Sequence, residues 1–210
     1  MEKTKKSGVL RDALILCAIT VIAGVLVAFF YELTKTTIAD NEAKATQAAY
    51  QSIFTDAAEF DAEPASVAGD ASEVGAAAIA DSGLDLGNVT VDGIVEAKDA
   101  SGNSLGYIIT TTSNDGYGGA IQISVGISAD LTVKGVEILT INETAGLGMN
   151  AKEASFRDQY KDKAVEHFNL TKSDPTAEED VQALSGATIT STAMTNAVNA
   201  AVVTARSILN

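Results

Sequence analysis

Residues Ala13–Tyr31 carry no charged side chain and are rich in Leu, Ile, Val, Ala and Phe. As a helix this segment measures about 28 Å, close to the roughly 30 Å hydrocarbon core of a bilayer. The competing reading is a cleaved signal peptide. The run is longer than a typical signal h-region, and Phe29-Phe30-Tyr31 forms a bulky aromatic exit rather than a small-residue cleavage site. A retained transmembrane helix is therefore expected at 13–31.

Lys3, Lys5, Lys6 and Arg11 precede the span and are only partly offset by Glu2 and Asp12. The positive-inside rule then leaves residues 1–12 in the cytoplasm and Glu32–Asn210 outside, in the cell (inner) membrane's extracytoplasmic space. The chain holds 28 acidic against 14 basic residues, a formal net charge of −14. That balance argues against nucleic acid as a partner, because phosphates would be repelled. The only cysteine, Cys17, lies within the span, so no intramolecular disulfide forms and no Cys-based iron–sulfur or zinc site exists in this chain. The single His167 lacks a ligand cluster, and no metal site is expected.

Beyond the span, Ile38, Ala45, Ala49 and Ile53 recur at near-helical spacing, which predicts that Glu32–Phe54 continues the helix or forms a second one. Residues 56–88 are rich in Ala, Asp, Gly, Ser and Glu and include Pro64, with a short Ala-rich helix near Val74–Ala80. Residues 32–88 are thus a connecting region with no assigned role. A sheet follows. Val89–Lys98 and Leu105–Thr112 flank the turn-rich Asp99–Ser104, and Ile121, Ile123, Val125 and Ile127 alternate, as do Val136 and Ile138. An antiparallel meander with one buried face results. A short helix is expected over Ser155–Tyr160. A final helix over Ser191–Leu209 places Met194, Val198, Ala201, Val202, Ala205 and Leu209 on one face, packed on the sheet. The fold class is α+β, with residues 89–210 as the extracytoplasmic domain.

The segment Asp180–Thr192 reads D-V-Q-A-L-S-G-A-T-I-T-S-T, a hydroxyl-dense turn running into that last helix. Ser185, Thr188, Thr190 and Ser191 crowd together, Gly186 and Ala187 leave room for close approach, and Thr188 stands just before the expected N-cap. Free N–H groups and the helix dipole favour an anion there. An ordinary Ser/Thr cap also explains Thr190 or Ser191.

Ser185-Gly186-Ala187-Thr188 resembles the S/T-G-A-T/S motif of the FMN-binding domain shared by the G subunit of the Rnf electron-transport complex and the C subunit of the sodium-pumping NADH:quinone oxidoreductase. Asp115-Gly-Tyr-Gly-Gly119 followed by Ile121–Ile127 resembles that family's GYGG-plus-strand segment, and Glu143-Thr-Ala-Gly-Leu-Gly148 its E-T-P-G-L-G loop, with Ala145 in place of Pro. The family usually has Asp where Gln182 stands, with Asp180 two residues further back.

The resemblance implies FMN joined through its phosphate to the Thr188 hydroxyl by a flavin transferase. It also implies that the loops holding Tyr117, Gly118, Gly119, Glu143, Thr144, Gly146 and Leu147, with Met149, wall the ring. No acid–base or nucleophile constellation accompanies these residues, so electron transfer rather than substrate turnover is expected of the chain itself. The first reading is the G subunit of an ion-translocating ferredoxin:NAD⁺ oxidoreductase, working beside membrane and iron–sulfur subunits. The quinone-reductase C subunit, a stand-alone anchored flavoprotein and a non-redox scaffold remain open. With no charge between Ala13 and Tyr31, the ion path is expected in partner subunits.

Overall fold

The computed structural model describes residues 2–209. Met1 and Asn210 lie outside the described residues, as do the side chains of residues 2–7 and 39, among them the Glu2, Lys3, Lys5 and Lys6 invoked for orientation. The chain divides into two compact units, Met1–Ala45 and Thr46–Asn210.

Helix α1 runs Glu2–Ile53, so the expectation that Glu32–Phe54 continues the first helix is met to within a residue. Gly8–Ile53 is long and apolar enough to cross a membrane by length and composition. Leu14, Ile22, Leu26 and Phe30 are among its large apolar side chains open to the surroundings.

In the second unit, β1 (Glu59–Asp61), β2 (Val89–Lys98), β3 (Ser104–Ser113), β4 (Ile121–Ser128) and β5 (Val133–Thr140) form one antiparallel sheet in chain order. Local turn chemistry closes the meander. The Asp99 carboxylate accepts the N–H groups of Ser101 and Asn103 at 2.8 and 2.9 Å, which shapes the β2–β3 turn. Strand β1 was not anticipated, because three residues leave no alternation to read.

Alternation splits β2 and β3 between two cores. On one face Val91, Ile109, Ile123 and Val125 meet Met194, Ala197, Val198 and Ala201 of helix α4 (Thr188–Leu209). On the other, Val95, Ala97 and Ile108 meet Ile53, Phe54 and Ala57. The sheet therefore has two covered faces where the alternation suggested one, because the last turns of α1 belong to this unit.

Helix α2 (Ala71–Ser82) is the predicted Ala-rich helix, extended at both ends. Asp70 caps it by accepting the Ser72 N–H, and Gly83 ends it in the left-handed region. Gly75 seats it on the sheet, since a Cβ there would lie 2.2 Å from a Val91 methyl. α2 packs on both β2 and α4. The centre of α4 is consequently buried all round, Thr195, Asn199 and Thr204 included, whereas Leu209 is only partly buried.

The helix expected over Ser155–Tyr160 is shorter. A 3-10 helix at Gly148–Lys152 leads into α3, Ala154–Arg157, after which Gln159, Tyr160 and Lys161 donate to carbonyls three residues back. That tighter winding carries both Phe156 and Tyr160 into the core. Burial raises the Tyr160 hydroxyl pKa, and its oxygen pairs with Thr195 Oγ1 at 2.9 Å. A short parallel pair, β6 (Asn169–Thr171) with β7 (Asp180–Gln182), was not foreseen. Its approach is held by the buried Asn199, whose Oδ1 accepts the Phe168 N–H and whose Nδ2 donates to the Phe168 carbonyl.

The two glycines facing Ile53 differ in a testable way. A Cβ on Gly126 would lie 2.0 Å from Ile53 Cγ2, but one on Gly135 only 3.7 Å from the nearest Ile53 atom. Gly126→Ala should destabilise the domain by about 1–3 kcal/mol through overpacking. Gly135→Ala should leave the unfolding free energy within about 0.5 kcal/mol of the parent. Equal thermal unfolding curves for the two variants would refute the close docking of Ile53.

A cleft at the start of the last helix

Helix α4 begins three residues earlier than the composition suggests. The Ser191 N–H donates to the Ala187 carbonyl at 3.0 Å, making Ala187 the residue before the first turn and Thr188 the first within it. Neither Thr190 nor Ser191 is the cap. The Ser191 hydroxyl works backwards instead: its oxygen accepts the Leu184 N–H at 2.9 Å and its proton goes to the Ala187 carbonyl at 2.9 Å. Ser191 is fully buried, and an Ala there would orphan the Leu184 N–H. Among the described residues, the N–H groups of Thr188, Ile189 and Thr190 have no acceptor, as the first turn of a helix leaves them.

Three segments distant in sequence meet at this turn. They are the β3–β4 loop, the loop after β5, and the turn before α4. Glycines set the contacts. A Cβ on Gly118 would lie 2.0 Å from the Asn142 carbonyl oxygen. One on Gly148 would lie 2.6 Å from Thr190 Oγ1 and 2.8 Å from Glu143 Oε2. Gly186 has φ +75°, where L side chains are strained, and its Cβ would come 3.1 Å from Leu147 Cδ2. The loop after β5 is itself folded: Leu147 and Met149 both donate N–H to the Thr144 carbonyl.

The result is a cleft of about 540 Å³ lined by Tyr117, Glu143, Thr144, Leu147, Gly148, Gly186, Ala187, Thr188, Ile189 and Thr190. Tyr117, Leu147 and Ile189 are 72%, 42% and 54% exposed. Outside α1 they are the only exposed large apolar side chains among the described residues, and all three border this cleft. Glu143 is half-buried, and its Oε1 is inaccessible to solvent with no hydrogen-bond partner. An orphaned carboxylate oxygen is costly unless a donor arrives.

Of the residues singled out by sequence, Tyr117, Glu143, Thr144, Leu147, Gly186, Ala187, Thr188 and Thr190 share the cleft. Gly118, Gly119 and Gly146 shape the loop backbones without lining it, and Met149 also stands outside. The four hydroxyls are not one cluster: Ser191 points into the core, and Ser185 lines a neighbouring cavity with Thr188. Gly148 and Ile189 were not selected as site residues. Ile189 carried no signal, because it lies before the helix start that the composition suggests and joins the helix only in the structure.

The sequence model of the FMN-binding domain matches residues 116–203, and that of the RnfG N-terminal region matches residues 1–53. The chain is 32% identical to the G subunit of the Na⁺-translocating ferredoxin:NAD⁺ oxidoreductase complex of Acetobacterium woodii, over 91% of this chain and 88% of that relative. It is 41% identical to the G subunit of the proton-translocating ferredoxin:NAD⁺ oxidoreductase complex of Clostridium ljungdahlii, over 50% of this chain and 56% of that one. In fold it resembles the crystal structure of the C subunit of the Na⁺-translocating NADH-quinone reductase from Parabacteroides distasonis, with TM-score 0.50 and 20% identity over 73% of this chain and 78% of that one.

The loop before β7 is braced by Asp180. Its Oδ2 accepts the N–H groups of Thr176 and Ala177, each at 3.0 Å, and these bonds hold its carboxyl below the ordinary value of 3.8. A depressed folded-state pKa means stability present above the unfolded value and lost as pH falls through the folded one. The parent should therefore show an acid-limb loss of stability beginning near pH 4, and Asp180→Asn should flatten it. Acid unfolding of the two chains followed by circular dichroism makes the comparison; superimposable curves would remove Asp180 from this role.

Proposed function

We propose, from the premise that this chain belongs to the G-subunit family of ion-translocating ferredoxin:NAD⁺ oxidoreductase complexes, that it is a membrane-anchored electron carrier whose FMN is held by a phosphoester to Thr188. The observation that carries this reading is the meeting of three distant segments on one cleft with Thr188 at its edge and every exposed large apolar side chain of the second unit at its rim.

The residues fit an FMN. Tyr117, Leu147 and Ile189 offer apolar surface to a flat ring. The unpartnered Glu143 Oε1 is an acceptor suited to a ring N–H, and the glycine contacts leave no Cβ in the way. The flavin supplies reversible uptake and release of electrons when bound. Attachment needs an activated flavin phosphate, a phosphoanhydride delivered by a flavin transferase. One P–O bond would form at Thr188 Oγ1 as the anhydride P–O bond breaks, the phosphate on the far side of the anhydride leaving with the bonding pair and the hydroxyl proton being released. The diester keeps one negative charge, which the free N–H groups of the first turn of α4 stabilise by about 0.3–1 kcal/mol.

Helix α1 anchors the chain through Ala13–Tyr31, with residues 1–12 in the cytoplasm and the FMN-binding domain outside. Electrons pass between this domain and other membrane and iron–sulfur subunits of the complex, which also hold the ion path. The relation over nearly the whole chain to a G subunit favours that complex over the quinone reductase, with which the likeness is one of fold.

Thr188→Val, co-produced with a flavin transferase, should lack covalent flavin by in-gel fluorescence and peptide mass while keeping its circular dichroism spectrum. Ser185→Ala should retain the flavin. Covalent flavin on the Thr188→Val chain would sink the assignment.

A further inference from the structure

A second cavity, of about 570 Å³, adjoins the cleft and shares Gly186 and Thr188 with it. Its other polar lining is Lys172, Ser155, Gln159, Gln182 and Ser185. The two sides of Thr188 thus differ in character. Glu143 and the apolar rim lie on one, and hydroxyls, amides and a cation on the other. No carboxylate lines the second cavity, in a chain whose acidic residues outnumber its basic ones two to one.

Lys172 is exposed, and among the described residues it forms no salt bridge. One carboxylate hydrogen-bonds to the lining: Asp174 Oδ1 accepts from Gln182 Nε2 at 3.2 Å. The remaining Gln182 and Gln159 groups answer one another. Gln159 Oε1 accepts the Gln182 N–H at 2.7 Å, and Gln159 Nε2 donates to the Gln182 carbonyl at 3.3 Å. The wall is therefore a rigid, hydrogen-bonded surface with one uncommitted cation. Those are features that receive a phosphate and a hydroxylated chain, and they stand beside the apolar Phe156, Ala183 and Leu184 of the same lining.

Resting on the flavin reading above, we propose that this second cavity is the phosphate-side subsite of the same ligand, with Lys172 as its counter-cation. The ring occupies the first cleft. The polyol chain crosses at Gly186, which lines both spaces and carries no side chain there. Thr188, common to both, then meets the phosphate end of the ligand rather than its ring. Ser185 takes a place in this subsite as a hydroxyl neighbour of the phosphate, and Gln182 keeps the wall closed by its pairing with Gln159. Lys172 is a positioning residue: it holds the phosphate near Thr188 Oγ1 and takes no part in electron transfer.

The test uses the full chain in detergent, made in a host without a flavin transferase so that the Thr188 hydroxyl is free. FMN and riboflavin, which differ only in the terminal phosphate, are titrated against it by flavin fluorescence at low salt. FMN should bind about three- to tenfold more tightly than riboflavin, as one partly exposed charge contact allows. Lys172→Gln should erase most of that advantage and leave riboflavin unchanged, and Lys172→Arg should keep it. Equal affinity of the parent for the two flavins overturns the subsite, as does a Lys172→Gln change that weakens both alike. Binding of neither flavin strikes at the flavin reading itself and takes the subsite with it.

Discussion

The paired hydrogen bonds of one buried hydroxyl decide where the last helix begins. Ser191 ties the Leu184 N–H and the Ala187 carbonyl to the inside of the helix, so the chain is forced to enter its first turn at Thr188. A start at Ser191, as composition suggests, would leave Thr188 in the turn before the helix, with its N–H groups answerable to other partners. The observed start makes Thr188 the first helical residue and leaves three backbone donors beside it. Thr195 and Tyr160 extend the same inward anchoring one turn further on, with Thr195 Oγ1 bonded to the Ser191 carbonyl and to the Tyr160 hydroxyl.

Around that start, glycines perform a task that no side chain interaction could. Gly118, Gly148 and Gly186 each sit where a Cβ would press on another of the converging segments. Close approach of backbones costs no side-chain entropy and admits little adjustment, so the cleft is largely pre-formed. The same device recurs in the core. Gly75 lets α2 lie on β2, and Gly126 admits Ile53 against β4. The sheet is thereby held between α4 and the end of α1, while its loop end stays free to build the cleft.

Much of this was legible in the sequence. Period-two alternation located β2, β3 and β4 within a residue and marked the middle of β5 by Val136 and Ile138, and the apolar run located the membrane-length helix. Elements of three residues, β1, β6 and β7, carry no periodicity and were invisible, and the parallel pairing of β6 with β7 has no local signature at all. The Ala-rich stretch near Val74–Ala80 was readable as a helix but not as a cover for α4, because packing partners of small residues are chosen by tertiary contact. At the cleft, the motif residues were found and their division was not. Ser185 and Thr190 flank the same threonine in sequence yet line different cavities, a distinction created by the turn of the helix between them.

That division explains why one hydroxyl among several is suited to carry a ligand. At 100° per residue Thr188 projects within about 60° of Ser191 and about 20° of Thr195, so its exposure comes from standing in the first turn, at the end of the helix, and not from facing away from them. Thr192 is outward but lies beyond the free N–H groups, with its hydroxyl donating to the Thr188 carbonyl. Thr190 borders the cleft from a buried position, where its oxygen meets Gly148 closely. Ser185 is exposed, but it precedes the helix and touches only the second cavity. Thr188 alone is exposed, adjacent to unpaired donors and common to both spaces. A ligand that spans the two spaces passes Gly186 and Thr188, the two residues that line both. On the proposed reading, the choice of Thr188 follows from the helix start, which in turn follows from Ser191.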